Sequence, residues 1–466
     1  MTEEPRNKIK GPHKFTLGLF SDTEEQIISA LTINDETAIW ALISNLHHAD
    51  IADLLERLND DQRNRILVIM GSDFDGDVLI ELDEIVRDQV IDKVGLETIA
   101  NAVNELESDD ALEIIEELEK HEQDLILESI SDENRAFLEE GLSFPQDSAG
   151  RLMQRELVTV PTFWSVGDAI DFMRKSADSD DNFLPKQFYV LFVVDPAYRP
   201  VGMVWLDKLL RTHRPIKLID IMEQDMKVIP AYTDQEDVAF LFRQRDLLSA
   251  PVVDEGGRLI GAITIDDVVD VIDKEHKEDI MRMGGVLEDD FYSAVFDTAR
   301  ARFSWLLVNL LTAIIASIVI GFFETTIDQI VALAVLMPIV ASMGGNAGTQ
   351  TLTVAVRALA MKELTATNTA RLIIKEISVG VSNGTVFAAL TGGVVWLWFE
   401  NLMLGIVISI AMIVNLVVAS LAGTFIPIFL ERQGVDPAVA SSVFLTTITD
   451  VVGFFVFLGL AALILI

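Results

Sequence analysis

The sequence predicts a multidomain membrane protein with four parts. These are an all-α superhelical N-domain, an α/β pair of repeated units, a long linker helix and a five-helix α transmembrane domain. Charge changes abruptly near residue 300, two internal repeats precede residue 273, and five long apolar segments follow residue 302. Together these three observations separate a soluble half from a membrane half.

The charge division restricts the kinds of partner. Of the 35 basic and 73 acidic residues, seven and eight lie in residues 300–466, which leaves 28 and 65 in residues 1–299. The first part therefore carries a net charge of −37 and the second −1. Such acidity repels phosphate, which excludes nucleic acid as a partner and disfavours docking on anionic lipid, and it attracts cations. Since the chain has no cysteine, disulfides and thiolate metal sites are excluded as well.

The first soluble segment predicts a helical domain. Residues 1–20 are polar and contain proline and glycine, which is typical of a loose tail. In residues 21–143, apolar side chains at i, i+3, i+4 and i+7 over 51–58 recur sixty residues later over 111–118. This recurrence predicts an acidic N-domain built as a stack of helix pairs.

A second repeat occupies residues 144–272. Residues 152–173 parallel 221–242 at an offset of 69, and 192–210 parallel 251–269 at an offset of 59. Each copy has the pattern strand, helix, strand, turn, strand, helix, so two units are predicted at about 144–214 and 215–272.

This duplicated pattern resembles a pair of cystathionine-β-synthase-type (CBS) domains. The resemblance implies a site for an adenine nucleotide such as ATP, contacted by a threonine and an aspartate three residues apart. The second copy has Thr264 and Asp267 at these positions, whereas the first has Trp205 and Lys208. A nucleotide site is therefore expected in the second copy.

Residues 273–302 are predicted to form an acidic linker helix that continues the last helix of the repeat. Its acidic face begins inside the repeat, with Asp267, Asp270, Asp273, Glu275, Glu278 and Asp279. Like charges at this spacing repel one another, and the simplest interpretation is a solvated helix face. Their concentration directly before a membrane domain favours a linker that responds to cations.

Five apolar segments are long enough to span a bilayer. They lie at about 303–323, 330–356, 373–399, 404–430 and 438–466. All seven basic residues of this half precede the first span, flank the loop between spans two and three, or lie between spans four and five. The positive-inside rule then places the soluble half in the cytoplasm and the C-terminus outside a cell (inner or plasma) membrane.

Polar residues inside these spans indicate an ion pathway. Asp450 is the only charge in 438–466, and an intramembrane acid favours an ion pathway over a carboxylate that is simply hydrogen-bonded within the bundle. The second span is expected to be broken at Met337–Pro338 and again over 343–350. For Gln350 and Asn415, helix-to-helix hydrogen bonding and pore lining are equally favoured.

One carboxylate per chain supplies a single negative charge, which does not balance the 2+ charge of a divalent ion. Two chains around a two-fold axis would bring two Asp450 side chains together. Mg²⁺ is commonly held with several of its waters in place by one or two carboxylates. We therefore expect a hydrated Mg²⁺ ion between paired Asp450 side chains and amide or hydroxyl oxygens.

The domain order resembles the MgtE family of magnesium channels. Its local signatures are FPQDSAGRLM at 144–153, MGGNAGTQT at 343–351 and TTITDVVGF at 446–454. The resemblance implies a homodimer in the lipid bilayer, with a pore on the two-fold axis and a cytoplasmic magnesium sensor. Asp450 would be the pore carboxylate and Asn346 a pore-lining neighbour, although Ser442 stands where other members carry different polar residues.

The same resemblance supplies the expected sensor acids and function. The regulatory acids would be Asp234, Glu236, Asp246, Asp267, Asp270, Glu275, Glu278 and Asp279, with Asp109 and Glu113 in the N-domain. The function expected is a Mg²⁺-selective channel or transporter for uptake, closed when cytosolic Mg²⁺ binds these acids. Mg²⁺ would then be both the transported and the regulatory ion.

The alternative is a CBS-regulated secondary cation transporter, in which Asp450 would carry a proton or a sodium ion. An enzyme is not expected, because no nucleophile–base pair and no phosphate-binding loop is visible.

Overall fold

The computed structural model describes residues 21–177, 184–185, 187–286, 295–364 and 367–466. The chain forms two compact units, Met1–Ile272 and Asp273–Ile466. The predicted tail 1–20 and residues 287–294 of the predicted linker lie outside the described residues.

The N-domain is helical, as predicted. Its described helices are α1 Ser21–Ile33, α2 Glu36–Ile43, α3 His48–Arg57, α4 Asp60–Met70, α5 Asp77–Ile80, α6 Glu84–Val94, α7 Leu96–Glu105, α8 Ser108–Glu117, α9 Lys120–Ser129 and α10 Asp132–Leu142. Most helices pack on the one two places along the chain: α4 lies against α2 and α6, and α8 against α10. The repeated apolar positions are buried, Leu54 and Leu55 in α3 and Ile114 and Ile115 in α8.

Local capping fixes where several of these helices begin. The Asp35 side chain accepts a hydrogen bond from the backbone of α2, and Asn59 forms a capping box with Gln62 at the start of α4. These contacts satisfy backbone N–H groups that would otherwise be unpaired at a helix start.

The repeated segment forms two small α/β units of identical topology. The first contains α11 Ala149–Leu152, β1 Thr159–Pro161, α12 Val166–Ala177, β2 Val190–Val194, β3 Pro200–Trp205 and α13 Leu206–Arg211. The second contains α14 Leu218–Ile221, β4 Ile229–Pro230, α15 Gln235–Arg245, β5 Ser249–Val253, β6 Leu259–Thr264 and α16 Ile265–Met283. In each sheet the middle strand is β2 or β5, parallel to the preceding strand and antiparallel to the following one.

The two α/β copies exchange segments: the residues that lead into each copy pair with the sheet of the other copy. Gln154, at the start of the first copy, pairs with Ala262 of β6, and Glu223, at the start of the second copy, pairs with Met203 of β3. A Cβ atom on Gly261 would lie 2.6 Å from Met153 Sδ, and one on Gly202 would lie 2.8 Å from Met222 Sδ. Each glycine therefore admits the methionine that leads into the other copy.

The linker helix is α16, which follows β6 without a break and has 19 residues. It ends earlier than predicted, at Met283, because Gly284 and Gly285 follow and Gly285 has a φ of +76°. A positive φ favours glycine and is a common helix terminator. The next helix, α17 Val295–Gly321, begins before the predicted start of the first span.

In the second unit, five of the described helices are long and apolar enough to cross a membrane, as predicted. The second unit contains α17, α18 Glu324–Gln329, α19 Ala332–Ala360, α20 Thr369–Phe399, α21 Leu402–Arg432 and α22 Pro437–Ile464. Here α18 is a short connector, and α21 packs against α19, α20 and α22. The apolar core of the bundle includes Leu333, Val407 and Phe457.

The expectation that the second span is broken is wrong. The helix α19 runs unbroken from Ala332 to Ala360 and includes Pro338. Its glycines serve close packing rather than unwinding: a Cβ atom on Gly344 would overlap the Asn415 amide, and one on Gly348 would lie 2.7 Å from Leu445 Cδ1. Small residues allow membrane helices to approach closely in this way.

Candidate functional site

The helix α22 carries Ser442, Thr446 and Asp450 at i, i+4 and i+8, which places them on one face. The Asp450 side chain is half-buried and Thr446 is exposed. The Thr446 hydroxyl donates to the Ser442 carbonyl at 2.9 Å, and the Thr447 hydroxyl donates to the Val443 carbonyl at 2.7 Å. Neither hydroxyl hydrogen is therefore directed at the Asp450 carboxylate.

A second polar face lies on α19. Ser342, Asn346, Thr349 and Thr353 follow one another at helical spacing, and all four are exposed. The Asn346 amide donates to the Ser342 carbonyl at 2.8 Å. A polar face at membrane depth is unfavourable against lipid and requires water or more protein.

Asn415 belongs to the interior of the bundle rather than to this exposed surface. Its side chain has 0% exposure, and its amide nitrogen donates to the Val340 carbonyl of α19 at 2.9 Å. Of the two alternatives, the structure favours helix-to-helix hydrogen bonding for Asn415. Gln350, by contrast, is exposed.

In the first unit, an acidic cavity of about 300 Å³ lies between the N-domain and both copies of the repeated α/β segment. It brings together three of the predicted sensor acids, Asp109, Asp267 and Asp270. The carboxyl side chains that line it are Asp77, Glu81, Glu107, Asp109, Asp110, Glu156, Asp266, Asp267 and Asp270. We call this the acidic cavity.

Crowding of these carboxyl groups changes their protonation. Burial, followed by the charge of Asp266, raises the pKa of Asp267 to about 7, although a hydrogen bond from Thr264 opposes the rise. Burial and the nearby Asp267 charge raise the pKa of Asp109 well above its usual range. The arrangement therefore favours any cation, proton or metal, that neutralises the carboxylates.

The nucleotide residues expected from the repeat also lie at this cavity. The Thr264 hydroxyl donates to Asp267 Oδ2 at 2.9 Å, so the two residues contact each other directly. At the equivalent positions of the first copy, Trp205 Nε1 donates to Glu223 at 3.0 Å and Lys208 lies 3.7 Å from the same carboxylate. Those first-copy side chains are engaged with Glu223.

Other predicted sensor acids lie elsewhere in the first unit. Glu113 forms an ion pair with the buried Arg87 at 2.8 Å. Asp234 caps the start of α15, where its carboxylate accepts a hydrogen bond from the Glu236 backbone at 2.9 Å, and Asp246 ends the same helix. An 11-residue helix is roughly 16 Å long, so Asp246 cannot share an ion with the other two in one chain.

The linker acids form a separate group in the second unit, which we call the linker cluster: Glu275, Glu278, Asp279, Arg282 and Asp436. The Arg282 guanidinium pairs with both Glu278 and Asp436. Burial, then the charges of Asp436 and Glu275, raises the pKa of Asp279.

Sequence reasoning missed eight members of these groups: Asp77, Glu81, Glu107, Asp110, Glu156 and Asp266 in the acidic cavity, and Arg282 and Asp436 in the linker cluster. Asp436 precedes Pro437 and accepts a hydrogen bond from the Ala438 backbone at 2.7 Å, so its sequence context identifies only a helix cap. Within the described ranges, no three histidine or acidic side chains converge closely enough to hold a metal ion.

Comparison with known proteins identifies the family. Residues 46–147 match the MgtE intracellular N domain, 218–274 match a CBS domain, and 337–460 match the divalent cation transporter domain of MgtE. The magnesium transporter MgtE of Bacillus subtilis is 30% identical over 422 residues, which cover 90% of this chain and 92% of that protein. The chain belongs to the MgtE family.

The MgtE of Thermus thermophilus is similarly related, at 30% identity over 442 residues that cover 94% of this chain and 97% of that protein. A crystal structure of the cytosolic domain of the Mg²⁺ channel MgtE in complex with ATP is 26% identical to this chain. That match covers 53% of this chain and 99% of that one, with a TM-score of 0.49.

Membership of the MgtE family confirms several predictions. MgtE proteins are magnesium transporters and not enzymes. Together with the five apolar helices, membership makes the chain a multi-pass membrane protein with a cytosolic N-terminal domain.

Proposed function

We propose that the chain forms a Mg²⁺-selective pathway for uptake, which cytosolic Mg²⁺ closes. The observation that carries the proposal is the Asp450 carboxylate, half-buried on the same face of the membrane helix α22 as Ser442 and Thr446. An acid at this depth is costly unless it meets water or a cation.

The pathway lies between two copies of the chain. The exposed polar faces of α19 and α22 are unsuited to lipid, and a second copy would cover them while it encloses water. Two Asp450 carboxylates then balance the charge of one hydrated Mg²⁺ ion, and Asn346 contributes amide oxygen nearby. Oxygen ligands and retained water suit Mg²⁺ better than softer metals.

The test is Mg²⁺ uptake into vesicles that contain wild type, Asp450→Ala or the control Asp328→Asn, which removes one charge from the short helix α18. Loss of both Asp450 carboxylates of the proposed dimer should reduce uptake on the order of tenfold or more, since about 1.4 kcal/mol of lost binding corresponds to tenfold. Unimpaired uptake by Asp450→Ala contradicts the proposal.

The same vesicles separate a channel from the rival secondary transporter, in which Asp450 carries a proton or sodium ion. A current that reverses at the Mg²⁺ equilibrium potential, with no proton or sodium gradient, supports the channel. A current that follows the proton or sodium gradient supports the rival.

Closure by Mg²⁺ is proposed to act at the acidic cavity and the linker cluster. Without bound cation, mutual repulsion of Asp109, Asp267 and Asp270 disfavours the compact arrangement, and the same holds for Glu275 and Asp279. Mg²⁺ neutralises these groups and stabilises the closed state, to the extent that it binds that state more tightly. Several weak sites acting together give a steep response.

The combined variant Asp267→Asn, Asp270→Asn and Glu275→Gln tests this mechanism. In patch recordings it should require several-fold more cytosolic Mg²⁺ for closure. The control Glu139→Gln, Asp171→Asn and Asp207→Asn removes the same charge outside both groups and should close as wild type does. Unchanged closure in the first variant is incompatible with the mechanism.

Two further assignments belong to the proposal. The distribution of basic residues among the loops supports an outside C-terminus, since five spans place the two ends of the membrane domain on opposite sides.

Thr264 and Asp267 support ATP as a second ligand of the acidic cavity. Because carboxylates line that cavity, ATP would enter as its Mg²⁺ complex, and equilibrium dialysis with and without Mg²⁺ tests this.

A further inference from the structure

Asn415 of α21 lies where three membrane helices meet. A Cβ atom on Gly344 of α19 would overlap its amide nitrogen, and one on Gly453 of α22 would lie 2.8 Å from the same atom. The amide nitrogen also donates to the Val340 carbonyl of α19 at 2.9 Å. The Asn415 side chain therefore occupies the space beside Gly344 and Gly453, and its hydrogen bond links α21 to α19.

This arrangement is not the most stable one for an apolar bundle. Among the described residues, no donor reaches the buried Asn415 Oδ1. An unpaired buried acceptor costs about 1–3 kcal/mol, and an apolar residue of similar size would avoid that cost. Local violations of this kind are expected where function, rather than stability, determines the residue.

The two glycines lie within three residues of side chains that line the proposed pathway. Gly344 lies two residues before Asn346 on α19, and Gly453 lies three residues after Asp450 on α22. Because a helix is rigid over one turn, the thickness of the wedge between the glycines determines how Asn346 and Asp450 are placed relative to each other.

We propose that Asn415 is a positioning residue of the ion pathway, whose amide sets the spacing of α19 and α22 and thereby the discrimination of Mg²⁺ from Ca²⁺. The two ions differ in preferred oxygen distance, 2.0–2.1 Å against 2.3–2.6 Å, and in how readily they release water. A pathway of fixed width discriminates between them, whereas a relaxed one does not. This role rests on the proposed pathway through Asp450.

The test is Asn415→Leu in the full-length protein, reconstituted in vesicles. Leucine fills a similar volume but offers no hydrogen bond and no planar amide. The thermal unfolding midpoint should be unchanged or higher, because the unpaired oxygen is removed. The Mg²⁺/Ca²⁺ permeability ratio should fall on the order of tenfold, the scale at which small misplacements of binding groups act.

The matched control is Thr424→Val on the same helix. The Thr424 side chain is 1% exposed and its hydroxyl donates to the Ser420 carbonyl of α21 itself, at 2.9 Å. This change removes an equally buried polar group, but the hydrogen bond that is lost lies within α21 and does not involve α19 or α22. It should leave the permeability ratio unchanged.

A rescue experiment distinguishes positioning from general damage. Gly453→Ala alone should lower the permeability ratio, because its methyl group displaces the Asn415 amide. Gly453→Ala combined with Asn415→Ala vacates that space and should recover part of the ratio. A purely structural role predicts instead that the double variant is worse than either single one.

A wild-type permeability ratio in Asn415→Leu overturns the positioning role. If Asp450→Ala abolishes uptake in the same preparation while Asn415→Leu keeps the wild-type ratio, positioning fails and the pathway stands. If Asp450→Ala transports normally, the pathway itself fails, and the positioning role fails with it.

Discussion

Asp267 lies in the acidic cavity, where burial and the neighbouring Asp266 charge raise its pKa to about 7. At pH 6 most of this carboxyl group is protonated in the absence of metal, and at pH 8 most of it is ionised. A proton therefore competes with Mg²⁺ over a physiological pH range. For folding, the same shift lowers stability as the pH rises from about 4 towards 7, since a buried group must ionise.

The first prediction concerns this competition. The cytosolic Mg²⁺ concentration for half-closure should be several-fold higher at pH 6 than at pH 8, and patch recordings at fixed pH measure it. In Asp267→Asn the dependence should be flatter. An equal pH dependence in wild type and variant would mean that other groups control closure.

Arg282 acts as a cation already present in the linker cluster. Its guanidinium pairs with the carboxylates of Glu278 and Asp436. Under the proposed closure mechanism, Mg²⁺ would have to displace this guanidinium from the linker cluster. Such partly exposed pairs contribute about 0.2–1 kcal/mol each, and two of them correspond to a difference in apparent affinity of about two- to thirtyfold.

The second prediction follows. Arg282→Gln should lower the Mg²⁺ concentration for half-closure by about two- to thirtyfold, on the scale of two such ion pairs. Arg211→Gln, which removes a similar exposed pair with Asp207, should have no effect. A higher Mg²⁺ requirement in Arg282→Gln would show that Arg282 supports closure instead of competing with Mg²⁺.

At the scale of helices, α20 and α21 meet through small residues. A Cβ atom on Gly392 would overlap Ser409 Oγ and lie 2.9 Å from the Gly405 carbonyl oxygen, whereas a Cβ on Gly393 meets nothing within 4 Å. The Ser409 hydroxyl also donates to the Ala388 carbonyl of α20 at 2.9 Å. Of these two neighbouring glycines, Gly392 therefore leaves no room for a side chain, whereas Gly393 does.

The third prediction uses this pair. Gly392→Ala should lower the free energy of unfolding by about 1–3 kcal/mol through overpacking. Gly393→Ala should leave it unchanged or raise it by up to about 1 kcal/mol through helix propensity. Thermal unfolding in one detergent compares them, and equal midpoints would exclude close packing at Gly392.

The helices themselves were largely predictable, because hydrophobic period and length depend on local sequence. The unbroken course of α19 was not. Glycine and proline in a sequence are compatible with either unwinding or close packing, and the outcome depends on side chains from other helices, here Asn415 and Leu445. The early end of α16 was recognisable in principle from the Gly284–Gly285 pair.

At the scale of the whole molecule, repulsion among the acidic residues opposes compaction of the first unit. A ligand that binds only the folded state stabilises it by about 2.7 kcal/mol at a concentration 100 times its Kd. If the acidic cavity binds divalent ions as proposed, Mg²⁺ stabilises the folded state in this way, whereas monovalent ions mainly screen the charge.

The fourth prediction is therefore a difference between ions. Mg²⁺ should raise the thermal unfolding midpoint of the full-length protein more than K⁺ does at equal ionic strength. The difference should shrink in the combined Asp267→Asn, Asp270→Asn and Glu275→Gln variant. Equal effects of the two ions would mean that the acidic cavity does not bind Mg²⁺ specifically and that both ions act only by screening its charge.

Sequence patterns predicted the order of domains and the family, since both depend on repeats and signatures within continuous stretches. The members of each acidic group were harder to predict. Asp110 and Asp266 join the acidic cavity because two domains meet there, and Asp436 joins the linker cluster across more than 150 residues of chain. No periodicity within one segment encodes such encounters.

The exchanged segments of the two α/β units make the pair indivisible. Gln154 forms a bridge to the edge of the second copy's sheet, and Glu223 forms one to the edge of the first copy's sheet. Either copy expressed by itself would lack one edge of its sheet and present a bare backbone where its partner's segment had been. Because each copy contributes main chain to the edge of the other's sheet, the two copies are expected to unfold together, and a displacement of one would strain the other.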